Sequence, residues 1–232
     1  STTVVRPTQS SNQYATAIDI QLLADGITVE VEGIQVAGHN GPGLYAYNPE
    51  WDSVLTIENC WFQKCAGFYL SDERYSIVRL ENYSDGTTTL SNCRMEGNLY
   101  RALNLVGEGC TAVGCHVAGG FYWSYNSNTF SGGAVRLHAH STMIGCVVRD
   151  NLTLVSGSPG QVLGTGVFTY GTSYLYGNII CGNRWSYSGA GSTNPGSQFY
   201  GGIIGSGNQI SDDCDFNGPD NGACCLTTSC VE

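Results

Sequence analysis

Ser141-Thr142-Met143-Ile144-Gly145-Cys146-Val147-Val148 decides the fold, because its pattern returns along most of the chain. Further copies start at Val29, Leu55, Thr88, Cys110 and Ser173, and a weaker one starts at Gln209. The fifth position is always Gly, Asn or Asp: Gly33, Asn59, Asn92, Gly114, Gly145, Gly177 and Asp213. Those residues tolerate a left-handed backbone best. The sixth position is Ile34, Cys60, Cys93, Cys115, Cys146, Asn178 and Cys214, and the eighth is always apolar. Alternating apolar and polar positions mark short strands with one buried face. A left-handed residue between two such strands bends the chain, so that both apolar faces point to one interior. A unit this short buries its apolar face only by stacking on others of its kind.

The sixth position recurs at spacings of 26, 33, 22, 31, 32 and 36 residues. One wall therefore stays in register while loops elsewhere absorb the difference, which does not fit a helical repeat. A second strand is readable at 44–47, 77–80, 102–105, 134–137, 167–170 and 202–204. Glycines precede two of these, in Ser131-Gly132-Gly133-Ala134-Val135 and Gly164-Thr165-Gly166-Val167.

From Gly132-Gly133-Ala134-Val135 to Gly145-Cys146-x-Val148-x-x-Asn151, the chain resembles the right-handed parallel β-helix superfamily. That superfamily includes pectate-lyase-like proteins and bacterial polymorphic surface proteins. The resemblance covers roughly 14–216 and implies an all-β solenoid, a right-handed parallel β-helix of about seven coils. In such proteins a short amphipathic helix caps the first coil. Tyr14 to Ala24, with Ala17, Ile18, Ile20, Leu22 and Leu23, looks like that cap, and another strand is the alternative. The expected organisation is an extended arm at 1–13, the β-helix domain at 14–216 and a cysteine-rich tail at 217–232.

At 232 residues the chain suffices for one sizeable domain. Its net charge is −10 with only 12% charged residues, and Lys64 is its only lysine. Nucleic acid is excluded as a partner, because there is no basic patch to neutralise phosphates. No apolar run approaches the ~18 residues of a membrane span. The chain starts at Ser1 rather than Met, so removal of a leader and an extracellular location are expected.

Eleven cysteines need an account. Cys60, Cys93, Cys115 and Cys146 share the ladder column and read as small buried hydrophobes about 4.8 Å apart. Cys214, Cys224, Cys225 and Cys230 lie in a Gly- and Pro-containing tail and read as candidates for a disulfide staple. Gly222 to Cys230 also resembles a short cysteine-rich motif of planctomycete-type secreted proteins.

Secreted β-helices are often polysaccharide lyases or hydrolases. An inverting glycosidase needs carboxylates roughly 6.5–9.5 Å apart, hence acidic residues on neighbouring coils. The positions matching Glu58 are instead Ser91, Val113, Ile144 and Tyr176, and Arg94 matches His116 and Val147. Arg136, His138 and His140 alternate, which places them on one face as candidates for a sugar acid or a metal. Asp213-x-Asp215-x-Asn217-Gly218 resembles half of a calcium loop, although Cys224 stands where the bidentate Glu belongs. Calcium is thus the one cofactor considered. Asn82-Tyr83-Ser84 and Asn151-Leu152-Thr153 match the N-glycosylation pattern.

Thr2, Thr3, Val4 and Val5 have strong β-propensity and precede Arg6-Pro7, which stops pairing. Such an arm is suited to add a strand to the open end of another copy, and repeated head to tail it builds a filament. The leading expectation is a non-enzymatic extracellular structural or adhesive protein that partners itself. The alternative is a secreted polysaccharide lyase or hydrolase, or a carbohydrate-binding β-helix protein, with glycans as partners.

Overall fold

The computed structural model describes residues 16–66, 76–124, 129–131, 133–155, 161–187, 194–195, 198–212 and 214. They form strands and turns only, arranged as three ladders. The first wall holds β1 (Ile18–Gln21), β4 (Leu44–Asn48), β7 (Val78–Asn82), β10 (Leu103–Val106) and β15 (Val135–His138). The second holds β2 (Thr28–Glu32), β5 (Val54–Glu58), β8 (Thr87–Ser91), β11 (Cys110–Val113) and β16 (Thr142–Ile144). Long strand β20 (Val167–Tyr176) continues both walls, and β24 (Phe199–Ser206) pairs along it with a register shift between Phe168 and Thr172.

The third wall is a seven-stranded sheet. It holds β3 (Gln35–Ala37), β6 (Trp61–Gln63), β9 (Arg94–Glu96), β12 (His116–Ala118), β17 (Val147–Arg149), β21 (Ile179–Cys181) and β25 (Gln209–Ser211). There are also two smaller sheets. One joins β13 (Phe121–Ser124), β18 (Leu152–Val155), β22 (Arg184–Tyr187) and β23 (Asn194–Pro195); the other joins β14 (Thr129–Ser131) to β19 (Gln161–Leu163). Every pairing is parallel except β22 with β23. The parallel strands pair not with their chain neighbours but one repeat away, as Thr56 with Thr89, Thr111 and Thr142 in turn. This arrangement is compatible with a solenoid.

Inward side chains stack into columns, such as Ile57, Leu90, Ala112, Met143 and Leu175, all sealed from solvent. Phe62, Met95, Val117, Val148 and Ile180 form the column behind the third wall. Each large apolar side chain so buried contributes about 1.5–3 kcal/mol.

Between second and third walls the chain turns at Gly33, Asn59, Asn92, Gly114, Gly145 and Gly177, all left-handed with φ of 51 to 68°. The seventh turn corrects the sequence reading. Ser173 pairs with Ile203 and Ile180 with Ile210, so the last repeat runs Ile203-x-Gly205-x-Gly207-Asn208-x-Ile210. Gly207 has φ 71°, and the ladder residue is Asn208 rather than Cys214.

The reason for the slip is chemical, because cysteine and asparagine do the same work at this corner. The Cys60 N–H donates to Cys93 Sγ, and the Cys115 N–H to Cys146 Sγ, both at 3.4 Å. The Cys146 N–H donates to Asn178 Oδ1 at 2.9 Å, and the Asn178 N–H to Asn208 Oδ1 at 3.0 Å. Sulfur or amide oxygen of the next repeat thus satisfies a buried backbone donor. Five residues later a second ladder repeats the device. Asn98 Oδ1 accepts from the Cys65 N–H, Asn151 Oδ1 from the Gly120 N–H, and Asn183 Oδ1 from the Asn151 N–H.

The expected N-terminal helix is a strand over its described part. Ile18, Ile20 and Leu22 are buried while Leu23 is 69% exposed. That period of two lets β1 pair with β4, extending the first wall, whereas a helix would leave that edge unpaired.

Cys60, Cys65, Cys93, Cys110, Cys115 and Cys146 are buried thiols. The hydrogen bond to Cys93, then burial, holds Cys60 above its usual range; burial raises Cys65 and pushes Cys110 up to about 12. We expect iodoacetamide to label none of the six in the native protein and all of them in guanidinium, read by mass spectrometry. Labelling of Cys93 without unfolding contradicts this packing. The same shift makes the fold alkali-sensitive. An unfolded thiol ionises near 9.0 while folded Cys110 stays protonated to about 12, so stability is full below pH 9 and falls through that window. Tm measured from pH 8 to 12 checks it, and a flat profile is the contrary result.

Candidate functional site

Side chains between the inward residues of the first wall point outward. In register they form a column of Asp19, Tyr45, Arg79, Asn104, Arg136 and Phe168, one from each successive strand. Beside it run Tyr47 and Glu81 at one end and His138 and Tyr170 at the other. Backbone spacing alone places neighbours about 4.8 Å apart. Tyr45 stacks on Tyr47 at 6.4 Å between centroids, and the Arg136 guanidinium lies 4.9 Å from the Tyr170 ring. Arg101, leading into β10, lies 5.2 Å from the Tyr122 ring and donates to its hydroxyl at 3.2 Å.

A cleft of about 290 Å³ opens on this face, lined by Thr16, Pro42, Leu44, Tyr45, Ser76, Arg79 and Glu81. Arg79 Nε and Glu81 Oε1 form an ion pair in it. Ser76 is 1% exposed, and its hydroxyl finds no partner among the described residues. Burial, then the Glu81 charge, pushes the Tyr45 phenol up to about 12, so it remains a hydrogen-bond donor. One strand on, Asn104 is sealed from solvent, and neither of its amide atoms has a partner among the described residues. Buried polar groups left this way cost about 1–3 kcal/mol each.

The other walls carry less. On the second, the column through Glu58 reads Glu32, Glu58, Ser91, Val113, Ile144 and Tyr176, without an acidic row beyond its first two members. Glu58 Oε1 accepts from Ser91 Oγ. On the third, His116 Nδ1 lies 3.1 Å from Glu96 Oε1, while Arg149 donates from Nε to His116 Nε2 at 3.2 Å and from Nη1 to Asp150 at 2.9 Å. With Nε2 accepting, the imidazole is engaged at both nitrogens.

Arg136 and His138 share the outward face of β15, Arg136 being buried. His140 lies beyond the strand in a turn with φ 68°, its ring 6.4 Å from Tyr174, so the three do not converge. Asn82 is buried, and its Nδ2 donates to the carbonyls of Gly86 and Glu108; Asn151 Nδ2 donates to Val117, Arg149 and Asn183. Both amide nitrogens are thus engaged within the folded chain. Cys214 is bonded to Cys181, a partner outside the expected tail set. Thr2, Thr3, Val4, Val5, Asp213, Asp215, Asn217, Cys224, Cys225 and Cys230 lie outside the described residues. Among the described residues no three His, Cys, Asp or Glu side chains are placed to hold a metal ion, and no helix is long and apolar enough to cross a membrane.

Tyr45, Ser76, Arg79, Glu81 and Asn104 were not singled out from sequence. The signal was an alignment of the second strands, Leu44-Tyr45-Ala46-Tyr47 over Val78-Arg79-Leu80-Glu81 over Leu103-Asn104-Leu105-Val106. No family model, curated protein or solved structure matches the chain.

Proposed function

We propose that the chain is a right-handed parallel β-helix of about seven coils that works outside the cell as a non-enzymatic adhesive protein. In this reading it grips glycans along the outer face of the first wall. The observation that carries it is the cleft, where a ring-stacking tyrosine, a buried unpartnered hydroxyl and an Arg–Glu pair meet. Aromatic faces stack on sugar rings and fixed polar groups orient them. A glycosidase needs two carboxylates at set separation. This cleft is lined by one, Glu81, and Arg79 engages it, which favours binding over hydrolysis. The Cys181–Cys214 bridge supports an oxidising compartment.

Co-sedimentation with a panel of insoluble polysaccharides, followed by chromatography of the supernatant, tests this reading. Retention of the protein with no released sugar is expected. Release of oligosaccharides makes it an enzyme, and no retention on any polymer overturns the adhesive role.

Self-assembly is a second reading, favoured by the edges. β1, β2 and β3 end their ladders without a further strand among the described residues, and such edges invite pairing. Deletion of residues 1–7 then abolishes fibres seen by negative-stain microscopy. Unchanged fibres rule out the arm, and isolated particles of the intact chain rule out the filament.

A further inference from the structure

Four groups of different polarity line one small cleft. Ser76 and Tyr45 each carry a hydroxyl, Arg79 a guanidinium and Glu81 a carboxylate. Ser76 is 1% exposed and its Oγ has no partner among the described residues, so a ligand atom arriving there meets a donor already stripped of water. Tyr45 keeps its proton to about pH 12 and presents a neutral O–H at any physiological pH. Arg79 donates and Glu81 accepts, from positions two apart on one strand that face the same way.

We infer that this cleft seats one neutral sugar ring through adjacent hydroxyl groups, and that it discriminates against carboxylated sugars. The inference rests on the glycan-binding reading above and adds the class of glycan. Vicinal hydroxyls are both donors and acceptors, so one accepts from Arg79 while its neighbour donates to Glu81. A third accepts from Ser76 or Tyr45. A carboxylate offers acceptors only, and to reach Arg79 it has to compete with Glu81 at close range. Whole-molecule electrostatics point the same way, because a chain of net charge −10 repels an anionic polymer before contact. The volume, about 290 Å³, lies at the small end for ligand sites and suits one ring rather than a chain segment. Longer glycans continue along the wall, where Tyr47 lies beside Tyr45.

Calorimetric titration of the intact protein decides the matter, with cello-, malto- and mannohexaose set against galacturonate and alginate hexamers at equal ionic strength. At least one neutral hexamer is expected to bind at least about tenfold more tightly than either acidic one. Ser76→Ala should weaken that binding about three- to tenfold, and Arg79→Met about tenfold or more, the range of one lost hydrogen bond to a neutral or a charged group. Ser76→Ala removes a hydroxyl without a folding partner, so its Tm should not fall, which separates a ligand role from a structural one. Preference for the acidic hexamers overturns the inference and leaves the glycan-binding reading standing. Binding of neutral hexamers unaffected by both variants also overturns it, by placing the site elsewhere. Failure of every oligosaccharide to bind sinks both readings.

Discussion

Replacing Asn183 by leucine should cost about 3–6 kcal/mol, whereas Asn104→Leu should cost nothing or stabilise by up to about 2 kcal/mol. Both side chains are asparagines with no exposed surface, so burial alone predicts similar outcomes. Their partners differ completely. Asn183 Oδ1 accepts from the Asn151 backbone N–H at 3.2 Å and from Asn151 Nδ2 at 2.9 Å, while its Nδ2 donates to the Val148 carbonyl at 3.0 Å. The Asn183 Nδ2 also donates to Gln198 Oε1 at 2.9 Å. Leucine at 183 strands several buried groups in three repeats, each worth about 1–3 kcal/mol. That loss is a large share of the ~5–15 kcal/mol by which domains are stable. Asn104 satisfies nothing in the fold, and leucine removes two buried atoms without described partners. Chemical denaturation of the two variants measures the contrast. Equal losses mean that Asn104 has a structural partner and that the outward column is ordinary packing.

Gly133→Ala should destabilise by more than about 3 kcal/mol or yield no soluble protein. A Cβ built on Gly133 falls 1.6 Å from the Thr165 carbonyl oxygen, a backbone atom one repeat away that cannot swing aside. The Gly133 N–H donates to the Gly164 carbonyl and the Ala134 N–H to that of Thr165, so relief means pulling two repeats apart. Gly177→Asn is the matched control. Its φ is 62° with nothing within 4 Å of a Cβ, and asparagine already holds this corner at Asn59 and Asn92. Its expected cost is below about 1 kcal/mol. Should Gly133→Ala fold with wild-type Tm, the repeats are not stacked as closely as described.

The corner between second and third walls was legible because a left-handed backbone restricts residue type, and that restriction recurs at Gly33, Asn59, Asn92, Gly114, Gly145 and Gly177. Parallel pairing and the all-β class followed from the same column. The seventh repeat was misplaced by six residues, since Cys214 looks more like Cys146 than Asn208 does, although both accept from a backbone N–H. Asn98, Asn151 and Asn183 went unread as a ladder, despite standing five residues after Cys93, Cys146 and Asn178. The first strand was mistaken for a helix because five apolar residues between 17 and 23 fit either period loosely. The cleft was the least legible feature. Its residues come from different repeats and differ in type, so nothing recurs, and only the register of Leu44-Tyr45 on Val78-Arg79 brings them together.

The most direct test of the proposed glycan-binding face is two-dimensional NMR of the isotopically labelled intact chain, titrated with a neutral hexasaccharide. Perturbed resonances should cluster at Thr16, Tyr45, Ser76, Arg79 and Glu81 and continue to Tyr47, leaving the second-wall threonines Thr56, Thr89, Thr111 and Thr142 unmoved. Perturbation centred on those threonines or on the Glu96–His116–Arg149 network, or none at saturating sugar, contradicts the assignment of this face.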